Sequence, residues 1–241
     1  MVIGRILERE CGSAGVACES PVEPLLSIRV ELPDVVLGVL EIDGASVAPA
    51  GEALSEELVR VCDRISKQYS AETVMELESI RAVRSMFRAW GIDPARYRPS
   101  SEALLRRVVQ GKGLYRVSNV VDAGNLGSLE TGWPYGLYNR ALLAAPVAFR
   151  AGNPSETYEG IGKQTWHLAG RPVLADASGA FGSPISDSTR TMITESARDV
   201  LGVIYAPASA ARAAIETALA ALAARLEGSA GGRNARISLT P

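Results

Sequence analysis

The chain has 241 residues, of which 47% are apolar and 22% charged, a globular composition that excludes a disordered chain, a collagen and a coiled-coil array. Its length suits one large domain or two small ones. The 25 basic and 27 acidic residues leave a formal charge of -2, so no overall basic excess indicates a nucleic-acid-binding protein.

The sequence shows no targeting segment and no metal site. Residues 1–24 lack an apolar run, so we predict an irregular leader without a signal peptide, and no apolar stretch of about 18 residues indicates a membrane span. Cys11, Cys18, Cys62 and the single His167 lack the spacing of a zinc site, so free thiols and no cofactor are expected. We therefore expect a cytoplasmic protein that binds neither membrane nor DNA.

Strands and helices are predicted without a regular β-α-β alternation, which favours an α+β fold with a mixed sheet. Hydrophobic patterns predict strands at residues 27–31, 35–42, 171–175 and 201–205. Helical periodicity and glycine stops predict helices at residues 51–69, 80–90, 101–110 and 207–228. We expect one domain over residues 25–228, glycine-rich loops between residues 120 and 149, and a flexible tail over 229–241.

Charge is unevenly distributed along the chain. Residues 31–80 contain eleven acidic and three basic residues, whereas residues 81–116 contain nine basic and two acidic ones. Arg81, Arg84 and Arg88 recur at helical spacing and share one face. Such a face attracts a phosphate backbone. A solvated helix face that pairs with the acidic half of the same chain is an equally open interpretation.

Most catalytic devices are absent from the sequence. A nucleophilic triad would have to use His167, no G-x-S-x-G motif surrounds a serine, and Gly162-Lys163 lacks the residues of a phosphate-binding loop.

What remains is two clusters of polar residues on glycine-rich segments, which together predict a polar, glycine-lined pocket. The first comprises Asp122, Gly124, Asn125, Gly127, Ser128, Glu130 and Gly132, and the second comprises Asp176, Gly179, Gly182, Ser183, Ser186, Asp187, Ser188 and Arg190. Simpler roles are open for single members: Asn125 as a turn cap, Glu130 as the partner of an arginine, and Asp187 as an N-cap or Asx turn.

Several of these segments resemble a known family. Residues 121–125 (VDAGN) and 129–139 (LETGWPYGLYN) resemble the central motif of the B3/B4 domain, the editing domain of the phenylalanyl-tRNA synthetase beta subunit. Residues 96–104 and 186–191 are similar to a freestanding branch of that family. The resemblance runs from about residue 80 to residue 206 and implies an α+β fold and hydrolysis of the ester in wrongly charged tRNA.

The family's own site residues carry over only in part. Asn125 matches the asparagine of a Thr-Asn pair, but Gly124 stands at the threonine and Gly136 at the family's histidine. A Gly-Gly-Glu loop, whose glutamate recognises a tyrosine hydroxyl, appears here as residues 182–184 (GSP), without the glutamate. Specificity for tyrosine is therefore not implied.

The resemblance assigns candidate roles to three groups of residues. Asn125, Glu130 and Asp187 are the candidate catalytic residues, which would hold a water or the substrate amine, and backbone N–H groups at Gly124, Gly136 and Gly182 are candidate oxyanion donors. The candidate substrate-binding residues are Gly124, Ser128, Tyr135, Gly136, Gly182, Ser183 and Ser186. The candidate tRNA-binding residues are Arg81, Arg84, Arg88, Arg106, Arg107 and Lys112.

Two other functions are compatible with the same residues. The pocket could bind or transform an amino-acid-like small molecule without tRNA, or it could belong to a binding module without catalysis. Salt-dependent tRNA binding would separate these possibilities, because phosphate contacts weaken steeply as salt rises. An oligomeric assembly is also compatible with the sequence.

Overall fold

The structure is a computed structural model that describes residues 26–240. The predicted leader, with Cys11 and Cys18, lies outside the described residues. Residues 26–240 contain the α-helices α1 (Glu52–Gln68), α2 (Glu78–Ala89), α3 (Ser100–Val109), α4 (Asn119–Thr131) and α5 (Arg212–Ala230). The ten strands are β1 (Ile28–Val30), β2 (Val35–Asp43), β3 (Tyr135–Asn139), β4 (Val147–Ala151), β5 (Thr157–Glu159), β6 (Thr165–His167), β7 (Pro172–Asp176), β8 (Gly179–Gly182), β9 (Val200–Pro207) and β10 (Arg233–Leu239).

These strands form three sheets. One has the order β10-β2-β9-β3 and is antiparallel throughout, while another has the order β1-β4-β7-β8, in which only β1 and β4 pair in parallel. β5 and β6 form a separate hairpin. The sheets are mixed and the helices do not alternate regularly with the strands, so the predicted α+β class is confirmed.

The two larger sheets pack face to face. The rings of Tyr138 on β3 and Phe181 on β8 meet edge-on at 4.9 Å between centroids, and those of Phe149 on β4 and Tyr205 on β9 lie 5.4 Å apart. The opposite face of the β10-β2-β9-β3 sheet is covered by α4 and α5. β3 is therefore an edge strand with helices on one face and the second sheet on the other.

The final helix is predicted correctly in type but not in its ends. Its predicted apolar face is buried: Ile215, Leu219, Leu222 and Leu226. It begins at Arg212 rather than at residue 207, because β9 continues to Pro207. It ends at Gly231, whose positive φ of 67° suits a glycine cap.

The flexible tail predicted over residues 229–241 is not observed where the structure describes it. Residues Arg233–Leu239 form an edge strand of seven residues that pairs with β2, and Thr240 donates its backbone N–H to the carbonyl of Leu37. Arg236 anchors the strand through ion pairs with Glu41 (3.2 Å) and Asp43 (3.2 Å). The sequence analysis did not predict this strand, because its charged residues are typical of a solvent-exposed chain end.

No helix within residues 26–240 is long and apolar enough to cross a lipid bilayer.

Candidate functional site

The phenol of Tyr138 lies at the centre of a buried polar group between the two larger sheets. Tyr138 is 0% exposed. Its hydroxyl donates to Oδ1 of Asp187 at 2.8 Å and lies 2.9 Å from the hydroxyl of Tyr205. A buried phenol needs such partners, because an unpaired hydroxyl in an apolar interior is costly. The three side chains form a continuous hydrogen-bonded chain from the core to Asp187.

Two glycines leave the space that this phenol occupies. A Cβ on Gly136 would lie 2.1 Å from the Tyr138 hydroxyl oxygen, and one on Gly182 would lie 2.2 Å from it. Neither glycine has a positive φ, so close approach rather than backbone conformation requires glycine here. Both are predicted pocket residues, and their absent side chains make room for a tyrosine.

The segment that carries Asp187, residues 182–187, is ordered by its own hydrogen bonds. The Ser183 hydroxyl donates to the Ser186 carbonyl at 2.7 Å, and the Ser183 backbone N–H donates to Asp187 Oδ1 at 3.4 Å. Tyr158 on β5 donates its hydroxyl to the same Ser186 carbonyl at 2.5 Å. The β5–β6 hairpin thus packs against this segment and fixes it.

Asp187 changes charge near neutral pH. Burial raises the pKa of its carboxyl to about 7, although hydrogen bonds from Tyr138 and from the backbone N–H groups of Ser183 and Leu137 oppose that rise. Burial and the charge of Asp187 raise the pKa of Tyr138 well above its ordinary value. Asp187 as a whole residue is only half-buried. The Asp187 carboxyl is thus buried and hydrogen-bonded in a residue that is itself partly exposed. We call Asp187, Tyr138, Tyr205, Tyr158 and Ser183 the Asp187 centre.

The first predicted cluster lies on a helix, not on a glycine-rich loop. Its glycines serve helix–strand packing: a Cβ on Gly124 would lie 2.5 Å from Leu137, and one on Gly127 would lie 2.7 Å from the Tyr135 ring. Two glycines and several polar residues lower the helix propensity of α4, but close packing on β3 compensates. Because Gly124 lies inside α4, its N–H donates to a carbonyl within the helix and does not serve as an oxyanion donor.

Two candidate catalytic residues on α4 point in different directions. Asn125 and Glu130 are five positions apart, which places them about 140° apart around a helix axis. Glu130 pairs with Arg225 of α5 at 2.9 Å, and Arg225 also pairs with Glu57 at 2.8 Å. The simpler role of Glu130, an arginine's partner, is the one observed. Asn125 is half-buried and forms no side-chain hydrogen bond with the residues that the structure describes.

β3 divides the predicted substrate pocket. Tyr135 and Leu137 face α4, whereas Gly136 and Tyr138 alternate with them and face the second sheet. On the α4 side, the Ser128 hydroxyl donates to the Trp133 carbonyl at 2.7 Å, and the Tyr135 hydroxyl is buried without a partner among residues 26–240. Gly136, Gly182, Ser183, Ser186 and Asp187 come together on the other side. Gly124, Ser128 and Tyr135 do not join them.

The second cluster also contains a purely structural pair. Arg190 binds Asp176 through both guanidinium nitrogens, at 2.9 and 3.1 Å, and the Asp176 side chain is fully buried. Bidentate pairs of this kind fix the relative position of two segments. Arg190 and Asp176 therefore hold the turn that follows the Asp187 segment against β7.

Residues 81–116, which we call the basic segment, contain three arginines that converge on one buried carboxylate. Glu102 of α3 has a side chain that is 2% exposed, and it pairs with Arg84 (2.8 Å), Arg98 (3.4 Å) and Arg106 (2.9 Å). Arg84 is thereby committed to an internal pair, although the sequence assigned it to tRNA. Arg81 and Arg88 remain exposed on α2.

The basic segment pairs little with the acidic half of the chain. Between residues 31–80 and the basic segment, the ion pair present in the described structure joins Arg81 to Glu76 at 3.7 Å. The interpretation of a helix face neutralised by the acidic half is therefore not supported. The N-terminus of α3 also contacts the Asp187 segment, because Ser100 donates its backbone N–H to the Pro184 carbonyl at 2.9 Å. α3 leads directly from the Asp187 segment to the basic residues.

Three tyrosines of the Asp187 centre were not among the predicted site residues. Tyr138, Tyr158 and Tyr205 lie in strand-like segments, where an aromatic residue ordinarily indicates core packing. The available signal was their hydroxyl groups, which need hydrogen-bond partners when buried. Within residues 26–240, no group of three or more His, Cys, Asp or Glu side chains is arranged to hold a metal ion.

Among the comparisons with known proteins, a family model matches most of this chain. The family model described as the B3/4 domain matches residues 82–226, more than half of the chain. One similar solved structure is an N-terminal fragment of the phenylalanyl-tRNA synthetase beta-subunit from Pyrococcus horikoshii, with a TM-score of 0.43 and 14% sequence identity. The match covers 90% of this chain and 57% of that one, so this chain spans less than two thirds of that fragment. A comparison with curated proteins gives no match.

Proposed function

The chain belongs to the B3/4 domain family, and we propose that it is a freestanding hydrolase that removes wrongly attached amino acids from tRNA. The observation that carries this proposal is the Asp187 carboxyl, which is held by Tyr138 and has a pKa of about 7. A carboxylate with a pKa near the working pH is suited to general base catalysis. We also propose that residues 25–228, together with β10, form the catalytic domain.

In this proposal Asp187 activates a water molecule. The water oxygen attacks the carbonyl carbon of the aminoacyl ester while one of its protons passes to the Asp187 carboxylate. The tetrahedral intermediate then expels the ribose oxygen, which takes up a proton from the Asp187 carboxyl. The products are a free amino acid and an uncharged tRNA, and Asp187 returns to its ionised form.

The remaining residues of the Asp187 centre are positioning residues in this scheme. Tyr138 donates to Oδ1 of Asp187, and Tyr205 in turn contacts the Tyr138 hydroxyl at 2.9 Å. Ser183 and Tyr158 fix the segment that carries the carboxyl. Because an aminoacyl ester is already reactive, a positioned water and base suffice without a protein nucleophile.

The basic surface supports tRNA as the substrate. Arg81, Arg88, Arg106, Arg107 and Lys112 would contact phosphates of the acceptor end, while Arg84 acts indirectly through Glu102. α3 connects this surface to the Asp187 segment, and a helix of ten residues is about 15 Å long. An acceptor stem bound along α3 would therefore bring its terminal ester near Asp187.

A comparison of two carboxyl variants tests the proposed catalytic residue. The substrates are a panel of correctly and wrongly charged tRNAs, with free amino-acid esters beside them. Asp187→Asn keeps the shape and the hydrogen-bond acceptor but removes the base, so we expect its rate on the preferred substrate to fall by about 10²- to 10⁴-fold.

Glu130→Gln is the matched control, because Glu130 pairs with Arg225 away from the Asp187 centre. This variant should retain the wild-type deacylation rate. A loss in Asn125→Ala would give Asn125 the role in holding water or the substrate amine that the sequence predicts for it. Equal losses in Glu130→Gln and Asp187→Asn would contradict the assignment. Absence of both hydrolysis and binding for every charged tRNA, with an amino-acid ester still cleaved, would instead favour a small-molecule substrate.

A further inference from the structure

A basic pocket runs along α3, from Arg98 just before the helix to Lys112 just after it. Six residues line its volume of about 300 Å³: Arg98, Ala103, Arg106, Arg107, Gln110 and Lys112. Four of them are cationic and none is acidic. The volume is at the lower end of the range for ligand sites, about 300 to 1,000 Å³.

The three arginines of this pocket are held in place before any ligand arrives. Arg98 and Arg106 both bind the buried carboxylate of Glu102. Arg107 lies over the ring of Tyr115 at 3.7 Å, with one terminal nitrogen 3.0 Å from the Tyr115 hydroxyl and the other 3.3 Å from the Lys112 carbonyl. Fixed guanidinium groups lose little side-chain entropy when they bind an anion.

The protein neutralises the charge in this pocket only in part. Arg84, Arg98 and Arg106 share the single carboxylate of Glu102, and no carboxylate among residues 26–240 forms an ion pair with Arg107 or Lys112. The Nε of Arg107 is buried and has no hydrogen-bond partner within that range. A buried donor without a partner is unfavourable, and an acceptor oxygen bound beside it would relieve that cost.

A simpler role is to balance the helix dipole, since Arg106, Arg107 and Lys112 lie at the C-terminal end of α3. That end carries a partial charge equivalent to about half an elementary charge. Arg107 and Lys112 alone exceed it, and Arg98 lies at the opposite end of the helix. The helix dipole therefore does not account for a four-cation pocket.

We propose that this pocket binds one phosphate group of the tRNA backbone and so fixes the register of the acceptor end on α3. This inference rests on the proposed function, since it names the contact that brings the ester to Asp187. Planar guanidinium donors and a lysine match the oxygens of a phosphate. Because a phosphate contact carries no sequence information, the pocket would serve any tRNA.

The experiment measures binding of uncharged tRNA by wild type, Arg107→Ala and Lys112→Ala over a series of salt concentrations. Each variant should bind more weakly at low salt, and the slope of log affinity against log salt should fall in magnitude by about 1. Arg29→Ala is the matched control, because Arg29 is an exposed arginine on β1 whose side chain is 77% accessible. The control should keep the wild-type slope.

A second readout separates this inference from the proposed function. Hydrolysis of a free amino-acid ester needs no phosphate, so Arg107→Ala and Lys112→Ala should cleave it at the wild-type rate while Asp187→Asn does not. Unchanged tRNA affinity and slope in both pocket variants would overturn the phosphate site and leave the hydrolase intact. Unimpaired ester cleavage by Asp187→Asn would overturn the catalytic assignment instead. Lys112 is exposed, so Lys112→Ala still tests the phosphate site if Arg107→Ala does not fold.

Discussion

At the scale of single residues, the distinction that matters is between two carboxylates with different surroundings. Glu130 is exposed and forms an ion pair with Arg225. Asp187 instead accepts a hydrogen bond from a buried phenol, and burial raises the pKa of its carboxyl. Both were equal candidates in the sequence, because residue type and glycine-rich context do not specify which partner a carboxylate meets. Asp187 could be selected from the sequence, but its partners Tyr138 and Tyr205 could not, since they come from strands far apart in the chain.

The raised pKa of Asp187 predicts a pH dependence of stability. The folded-state pKa of about 7 exceeds the unfolded value of 3.8, so the folded protein holds a proton that the unfolded chain releases between these values. The free energy of unfolding contributed by Asp187 is therefore fully present below pH 3.8 and is lost as the pH rises through about 7, by up to about 1.4 kcal/mol per pH unit.

Urea denaturation of wild type and Asp187→Asn, repeated at intervals of about one pH unit between pH 5 and pH 8, measures this effect. The difference in unfolding free energy between the two proteins should favour wild type most at the acidic end. Glu156, whose pKa is lowered by Arg150, contributes a slope of the opposite sign only below about its ordinary value of 4.5. A difference that does not vary over this range would show that Asp187 is ionised throughout.

At the scale of elements, the close approach of β3 and β8 around one tyrosine organises the site. The sequence identified Gly136 and Gly182 as special but assigned them to ligand contact. Their positions show that glycine can be required by a side chain of the protein itself. The same holds for Gly124 and Gly127, which allow α4 to pack on β3 and which made the helix look like a loop.

Replacing either glycine beside Tyr138 should destabilise the protein. Gly136→Ala and Gly182→Ala each put a methyl group within 2.2 Å of the Tyr138 hydroxyl, which is fully buried and cannot move aside. Overpacking of this kind costs about 1 to 3 kcal/mol. Denaturation midpoints check the loss. Gly162→Ala is the control, because nothing lies within 4 Å of its added Cβ, and a loss equal to that of the control would contradict the packing argument.

Prediction of elements succeeded where local signals and tertiary packing agreed. The apolar stripe of α1 and the glycine that follows α2 placed those helices correctly. α4 was missed because its glycines are unfavourable in isolation and are explained only by contact with β3. β10 was missed because Arg233 and Arg236 look like solvated residues until Glu41 and Asp43 of β2 are placed beside them.

At the scale of the whole molecule, a small net negative charge conceals a strongly basic region. The formal charge is -2, yet the pocket beside α3 contains four cations and no acidic residue. The total charge sets bulk behaviour, whereas a nucleic acid responds to local potential. The three-layer arrangement places this region on the same helix whose N-terminus contacts the Asp187 segment. The fold thus joins a candidate base to a candidate phosphate site through one element.

The most direct test of the central claim is the pH dependence of tRNA deacylation under single-turnover conditions, corrected for spontaneous ester hydrolysis. If Asp187 is the general base, the wild-type rate should rise about tenfold per pH unit below its pKa of about 7 and level off above it. Asp187→Asn should show a low rate without that inflection. A wild-type rate that does not change through pH 7, or an inflection that persists in Asp187→Asn, would contradict the account.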